Sequence, residues 1–132
     1  MAKPIDEKIL WPIFSKFIRL RDTNDEGIGK CFTCNRYIMW NKGQCGHGIP
    51  RQHKATKYSE KNNHLQCAPC NGFEGGRREV YKIEMDKRYG PNTWDLMEHA
   101  SRQPFSFSPF EIKALSDHYK REVEKLLKSK NF

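Results

Sequence analysis

From Pro12 onward, apolar residues recur at helical spacing. Ile13, Phe14, Phe17 and Ile18 share a face, with Lys16, Arg19 and Arg21 elsewhere. Proline suits the first helical position, so the pattern predicts a helix from Pro12. Asp22-Thr23-Asn24-Asp25-Glu26-Gly27 predicts its end and a loop, giving a first unit over 12–26. Between Cys31 and Cys70 the helical period is lost. Tyr37-Ile38-Met39-Trp40 reads as a strand, Asn41-Lys42-Gly43 as a turn, and Gln44 to His47 as the return strand of a hairpin. Residues 48–64 read as a long polar loop. After Cys70 the chain turns helical, with Val80, Ile83 and the stem of Lys87 on one face and Gly90-Pro91 as the stop. Asn92 or Thr93 can cap a short helix through Trp94, Leu96 and Met97. In the last segment, Ser108-Pro109-Phe110-Glu111 has the form of a capping box. Ile112, Leu115, Tyr119, Val123, Leu126 and Leu127 follow at helical spacing. Lys125, Lys128 and Lys130 sit where the helix dipole favours cations.

At 132 residues the chain is expected to be a single domain over 1–132. Only 36% of it is hydrophobic, so its core is small and something beyond apolar burial should help hold the fold. No apolar run is long enough to cross a membrane. Met1-Ala2-Lys3-Pro4 has no apolar signal-peptide core behind it, so a cytoplasmic protein is expected. Lys and Arg number 24 against 16 Asp and Glu, a net charge of +8, and the pI is about 9.3. That balance points to a polyanion, either nucleic acid or an acidic membrane surface, and charge alone does not choose.

Cysteine spacing narrows the chemistry. Cys31-Phe-Thr-Cys34 and Cys67-Ala-Pro-Cys70 are two C-x-x-C pairs, and Cys45 stands alone. Four thiolates in two such pairs can close a tetrahedral zinc site without an open position, which is a structural role. The competing reading is a set of ordinary buried thiols, and for Cys45 packing is the expected role. A lone C-x-x-C would suggest redox chemistry, but here there are two.

The residues around these pairs carry a further pattern: Gly46-His47 at the hairpin, then Asn62-Asn63-His64-Leu65-Gln66-Cys67-Ala68-Pro69-Cys70-Asn71. With Cys31 and Cys34 upstream, this resembles the phage NinG/Rap recombination protein family. The resemblance extends to Phe17-Ile18-Arg19, to Arg88-Tyr89-Gly90 and to the charged C-terminal helix, though without that family's long basic N-terminal extension. Cys70-Asn71-Gly72-Phe73-Glu74-Gly75 is also similar to the C-N-x-x-E-G segment of phage junction-resolving enzymes of the endonuclease VII type.

The resemblance implies an α+β, mainly helical fold. Its centre would be a zinc-bound ββα core of the HNH (His-Me finger) kind over 31–90, flanked by the N-terminal helix and by C-terminal helices over 92–130. It implies His47 as general base, since an imidazole can accept a proton near neutral pH. Asn62 would hydrogen-bond backbone near His47 and orient it. One Mg²⁺ or Mn²⁺ would be held by Asn71 and Glu74, placed three apart on the helix that begins at the second cysteine pair. The related families carry an aspartate immediately before the histidine or three residues before it. Here those positions are Gly46 and Gln44. Gln44 is then a weaker oxygen ligand, with Glu74 and His64 left to complete the shell, and a weak or metal-selective enzyme is one consequence.

Arg51, Lys54, Lys57 and Lys61, with Arg77 and Arg78, would track phosphates, although such a run also reads as a solvated face. Tyr58 and Phe73 could stack on exposed bases. His53, His99 and His118 read as surface residues. The expected function is a metal-dependent endonuclease acting on branched DNA such as Holliday junctions and D-loops. It would work as a homodimer in the host bacterial cytoplasm, with the first and last helices as one possible interface. The alternatives are a zinc-stabilised DNA-binding module without cleavage, and a non-specific or site-specific HNH nicking nuclease.

Overall fold

The computed structural model describes residues 7–132, so the reading of Met1-Ala2-Lys3-Pro4 lies outside the described residues. Its elements are mixed α/β and mainly helical. Helix α1 covers Glu7–Arg21, strands β1 and β2 Ile28–Lys30 and Tyr37–Met39, and β3 Gln44–His47. A single turn α2 (Lys54–Lys57) and a 3₁₀ turn (Glu60–Asn62) lead into β4 (Asn63–Gln66). Then come the one-turn α3 (Ala68–Asn71), α4 (Arg78–Tyr89), α5 (Thr93–Ser101) and α6 (Pro109–Ser129).

Pro12 does not open α1; it lies inside the helix. Proline there removes one backbone hydrogen bond. The helix continues because Leu10, Phe14, Phe17, Ile18 and Leu20 are buried on either side of it. Their main partner is α6, whose capping box forms as its sequence requires. The Ser108 hydroxyl accepts from the Glu111 amide, and the Ser108 amide donates to the Glu111 carboxylate, both at 3.1 Å. Tyr119 lies with its ring centroid 4.9 Å from those of Phe14 and Phe17. Lys130 closes the C-terminal end by donating to the carbonyls of Thr23 and Asn24. The apolar faces of α1 and α6 are thus largely spent on each other.

The strands pair differently from the predicted hairpin. Tyr37–Met39 turns back on β1 in an antiparallel ribbon, with Gly29 opposite Ile38. Gln44–His47 pairs antiparallel with β4, with Gly46 opposite His64 and His47 opposite Asn63. The chain around Asn41-Lys42-Gly43 therefore passes from one ribbon to the other. The supposed polar loop 48–64 contains a helical turn, a 3₁₀ turn and the start of the most buried strand. Val80, Ile83 and Lys87 are not the buried face of α4. Ile83 and Lys87 are exposed, and Tyr81 and Met85 are inside with Phe32, Ile49 and Trp94.

Strand β4 is the centre of the molecule. Asn62 to Gln66 are each 0 % exposed, and four of the five are polar. Each polar side chain finds a partner, as burial demands, although Gln66 Oε1 has none among the described residues. Asn63 donates to the carbonyls of Lys57 and Ser59 (3.1 and 2.7 Å). The two ring nitrogens of His64 meet the hydroxyls of Tyr81 (2.9 Å) and Tyr89 (2.7 Å), and its ring stacks on Phe32 at 3.8 Å. Gln66 donates to Thr33 and to the Gly76 carbonyl. Arg21 reaches the Asn63 carbonyl, and Asp22 accepts from the Leu65 amide.

Burial, then the charges of Arg21 and Arg88, push His64 down from its ordinary value of 6.5 to about 2. The folded state therefore holds it neutral while the unfolded chain protonates it. Its contribution is intact above pH 6.5 and is lost as the pH falls below that value. Urea titrations should show about 2 kcal/mol lost between pH 7 and pH 5 from this residue. His64→Phe should be less stable at pH 7, because two tyrosine hydroxyls lose a partner, and should show a shallower acid slope. Equal slopes would remove His64 as the cause.

Candidate functional site

Two turns bring the cysteine pairs together. Cys31 follows β1 directly and Cys34 lies in the tight β1–β2 turn, where Asn35 takes a left-handed φ of 63°. Its amide returns to the Cys31 carbonyl at 3.0 Å. Cys67 follows β4 directly, and one turn of α3 brings in Cys70. The four sulfurs lie within 4.8 Å of one another, with Cys34 and Cys67 3.7 Å apart. A tetrahedron with zinc–sulfur bonds of about 2.3 Å has edges of about 3.8 Å, so the donor set and its spacing could hold Zn²⁺. Burial works against the Cys31 thiolate. The Thr33 hydroxyl and the amides of Cys67, Thr33 and Cys34 more than offset it and hold the group at about 6. The cluster ties the β1–β2 ribbon to the β4–α3 corner. Cys45 is apart from it, buried, pushed up to about 12 by that burial, and donates to Asn63.

His47 is the last residue of β3. The backbone on both sides of it is held. The Tyr81 hydroxyl donates to the Gly46 carbonyl at 2.9 Å, and the Gly48 amide donates to the Asn62 carbonyl at 3.0 Å. Asn62 then clasps Ile49 with its side chain, accepting from the amide at 2.7 Å and donating to the carbonyl at 3.0 Å. A third bond from Asn62 reaches the Thr56 carbonyl at 3.3 Å. The His47 ring meets the edge of Trp11 at 6.4 Å. Its Nδ1 is buried and has no hydrogen-bond partner among the described residues. Burial, then the charges of Arg51, Arg78 and Lys57, lower its pKa from 6.5 to about 4. The imidazole is therefore neutral at pH 7.

Trp11, which meets the His47 ring, also lines a cleft of about 370 Å³, together with Arg19, Gln44, Arg51 and Asn71 among others. Gln44 and Asn71 meet there: the Asn71 amide donates to Gln44 Oε1 at 2.7 Å. Glu74 does not share a helical face with Asn71. Helix α3 ends at Asn71, and Gly75, Gly76 and Arg77 all take positive φ, which breaks the helical path. Glu74 sits exposed on that turn. His64 is also not at the cleft. It faces the opposite side of the β3–β4 ribbon from His47, and both its nitrogens are engaged by tyrosines. Among the described residues the four cysteines are the one group of three or more His, Cys, Asp or Glu able to share an ion. The set Asn71, Glu74, Gln44 and His64 is thus not a preformed hard-cation cradle.

The basic residues divide. Arg51 lies over the Trp11 ring at 4.6 Å and lines the cleft. Lys54 and Lys57 both bind the Glu7 carboxylate. Burial alone would raise the Glu7 pKa, but the two lysines hold it at about 2. Lys61 is exposed above the Tyr89 ring. Arg77 lies 4.0 Å from the Cys70 sulfur, and Arg78 donates to the carbonyls of Gly48 and Gly75. Tyr58 is buried among Phe14, Trp11 and Phe107 and donates to Glu7, so its ring has no free face to offer a base. His99 and His118 are exposed and His53 half-buried. Sequence reading missed Trp11, Arg19 and Tyr81, whose roles depend on pairings between distant segments. The one available signal was Arg19 lying off the apolar face of its helix.

Purified protein should carry about one zinc per chain by elemental analysis, released by a thiol-reactive mercurial. Stripping it should lower the melting temperature by well over 10 °C. Cys34→Ser should weaken retention of the ion. A fully folded, equally stable protein without metal would exclude the zinc reading.

The model of the family described as Bacteriophage Lambda NinG protein matches residues 5–130. Protein ninG of Escherichia phage lambda is 25% identical over 117 residues, 87% of this chain and 54% of that protein. Protein ninG of Escherichia phage 933W is 24% identical over 117 residues, 87% of this chain and 55% of its own length. The chain thus spans about half the length of the curated relatives it matches. No solved structure matches it. With nearly its whole length covered by the family model, the chain belongs to the bacteriophage lambda NinG family.

Proposed function

We propose that this chain is a metal-dependent, structure-selective DNA endonuclease of the His-Me type, acting on branched DNA. The observation that carries this is His47. It is a neutral imidazole with an unpartnered Nδ1, set at the end of a strand whose backbone is clamped on both sides, and its ring meets Trp11, which lines a cleft with Arg19 and Arg51. In this reading the β3–β4 ribbon and α3 form the ββα unit, and the four-cysteine cluster fixes its corner.

Hydrolysis needs a proton acceptor for the attacking water, and the reading assigns that role to the His47 imidazole. Burial first, and then the positive charges of Arg51, Arg78 and Lys57, lower the His47 pKa to about 4. A phosphate bound among them offsets that field and raises the pKa, so the base becomes stronger as substrate arrives. Arg19 and Arg51 position the phosphate and stabilise its developing charge. Asn62 is a positioning residue, acting through the backbone at Ile49. A Mg²⁺ or Mn²⁺ would be held through the Asn71 carbonyl oxygen, with phosphate and water completing its shell, and would supply neutralisation of charge on the phosphate. The engagement of Gln44 Oε1 by Asn71, and the lack of a carboxylate next to His47, favour a second reading. It is a zinc-stabilised DNA-binding module that does not cut.

Cleavage of a labelled four-way junction and a matched linear duplex, each in Mg²⁺ and in Mn²⁺, separates these. The expected result is junction cutting that falls at least about 100-fold in His47→Ala. Asn62→Ala should slow cutting while leaving junction binding intact. Tight junction binding without cutting in either metal would leave the binding module. Equal cutting of the linear duplex would indicate a nicking nuclease without structure selectivity.

A further inference from the structure

Phe73 is 99 % exposed, more than any other large apolar side chain described. It stands on the turn between α3 and α4, and the backbone beneath it is closely tied. The Gly72 amide donates to the Ala68 carbonyl at 2.8 Å and the Glu74 amide to Pro69 at 3.0 Å. The Gly76 amide donates to the Cys70 carbonyl at 2.8 Å. On the other flank, Arg78 bonds the carbonyls of Gly75 (3.2 Å) and Gly48 (3.3 Å), and Gln66 bonds that of Gly76 (3.1 Å). The ring is therefore mounted on the cysteine cluster on one side. On the other, through Arg78, it is tied to the residue that follows His47. The backbone beneath the ring is thus held by hydrogen bonds on both flanks while the ring itself faces solvent.

Beside it is an open hollow of about 440 Å³, lined by Ala68, Pro69, Gly72 and Phe73 and almost wholly apolar. Arg77 and Arg78 follow within five residues, against the single acid Glu74, in a chain of net charge +8. A flat apolar ring and hollow next to paired cations match a ligand with apolar faces and a polyanionic backbone. A nucleic acid strand has both. In an unbroken duplex each base already stacks on its neighbours, so a free base face exists at an unpaired base or a discontinuity in stacking.

We propose that Phe73 is a stacking platform for an unpaired nucleobase, and that it sets the preference for branched over linear DNA. This rests on the reading of the chain as a protein that acts on DNA. The platform deepens that reading, because the turn that carries Phe73 is tied through Arg78 to Gly48, the residue after His47. The selectivity then comes from strand geometry and stacking, with no base-edge recognition required.

Fluorescence anisotropy without added divalent ion tests it, using the full zinc-loaded chain. The probes are a four-way junction, a duplex with one bulged 2-aminopurine, and a matched linear duplex. Phe73→Ala and Phe73→Leu should each lose about 5- to 100-fold in affinity for the junction and the bulge, with linear duplex binding unchanged. Phe73→Trp should keep the affinity. The wild type should quench the 2-aminopurine, and Phe73→Ala should not. Melting temperatures should not move, since the side chain packs on little. Wild-type preference for the junction that survives in Phe73→Ala would overturn the platform alone. An equal loss on all three probes would also overturn it, since the ring would then be a general contact. Wild-type protein that binds none of the probes would overturn the DNA reading itself.

Discussion

The structure depends on burying a polar strand. Leu65 is the single apolar residue between Asn62 and Gln66, yet all five residues are fully enclosed. An unpaired amide or imidazole in that position would cost on the order of 1–3 kcal/mol. Each polar side chain of β4 therefore reaches for a partner, Gln66 through its amide nitrogen alone, and the partners lie on different elements. Asn63 holds the chain between α2 and the 3₁₀ turn, His64 holds α4 through two tyrosines, and Gln66 holds both the first cysteine turn and the turn after α3. Through Asp22, β4 is also tied to the end of α1. A small apolar core does not have to specify the fold alone, because hydrogen bonds from one strand fix where most of the other elements go.

This constraint reaches the candidate site through glycine. Gly46 lies opposite His64 in the ribbon, and a Cβ there would stand 1.7 Å from Gln66 Oε1 and 2.5 Å from its Cδ. Gln66 is fully buried and bonded at its amide, so it has little room to give. The absence of a side chain at position 46 thus follows from packing. It also bears on chemistry, since a carboxylate immediately before His47 would have to displace Gln66. The backbone amide and carbonyl groups around His47 are instead recruited as anchors for Tyr81 and Asn62. Position 47 ends up as a fixed point from which an imidazole projects toward α1.

Much of this was legible from residue types, and what was not has a common cause. The capping box of α6, the amphipathic face of α6 and the apolar face of α1 follow from local chemistry, and local chemistry determines them. The two cysteine pairs converge because each C-x-x-C turn brings its own sulfurs together. Strand pairing was misread because Tyr37 to His47 offers a plausible local hairpin, whereas the real partners are set by β4. That strand was invisible as a strand: Asn-His-Leu-Gln carries no apolar alternation, and its burial rests on partners up to 43 residues away in sequence. The same cause hid the partners of His64, which are two tyrosines, and of Lys54 and Lys57, which pair with Glu7. A histidine or a lysine in a sequence does not reveal whether a tyrosine or Glu7 has already engaged it.

Charge is distributed so that the remaining basic residues matter more. Glu7 takes up Lys54 and Lys57 on the outer side of α1, and Asp22 takes up Arg21 at its far end. Arg51 and Arg19 stay at the cleft, each against an aromatic ring and not a carboxylate: Arg51 over Trp11 and Arg19 over Trp40. An arginine stacked on an aromatic face keeps its charge and most of its donors available. The field that Arg51, with Arg78 and Lys57, leaves at His47 opposes protonation of the imidazole, and an arriving anion relaxes that opposition. Burial of His47 works in the same direction and does not relax until the site changes shape or water enters. The balance between a fixed burial penalty and an anion-dependent field is therefore what decides how basic His47 is when a phosphate is present.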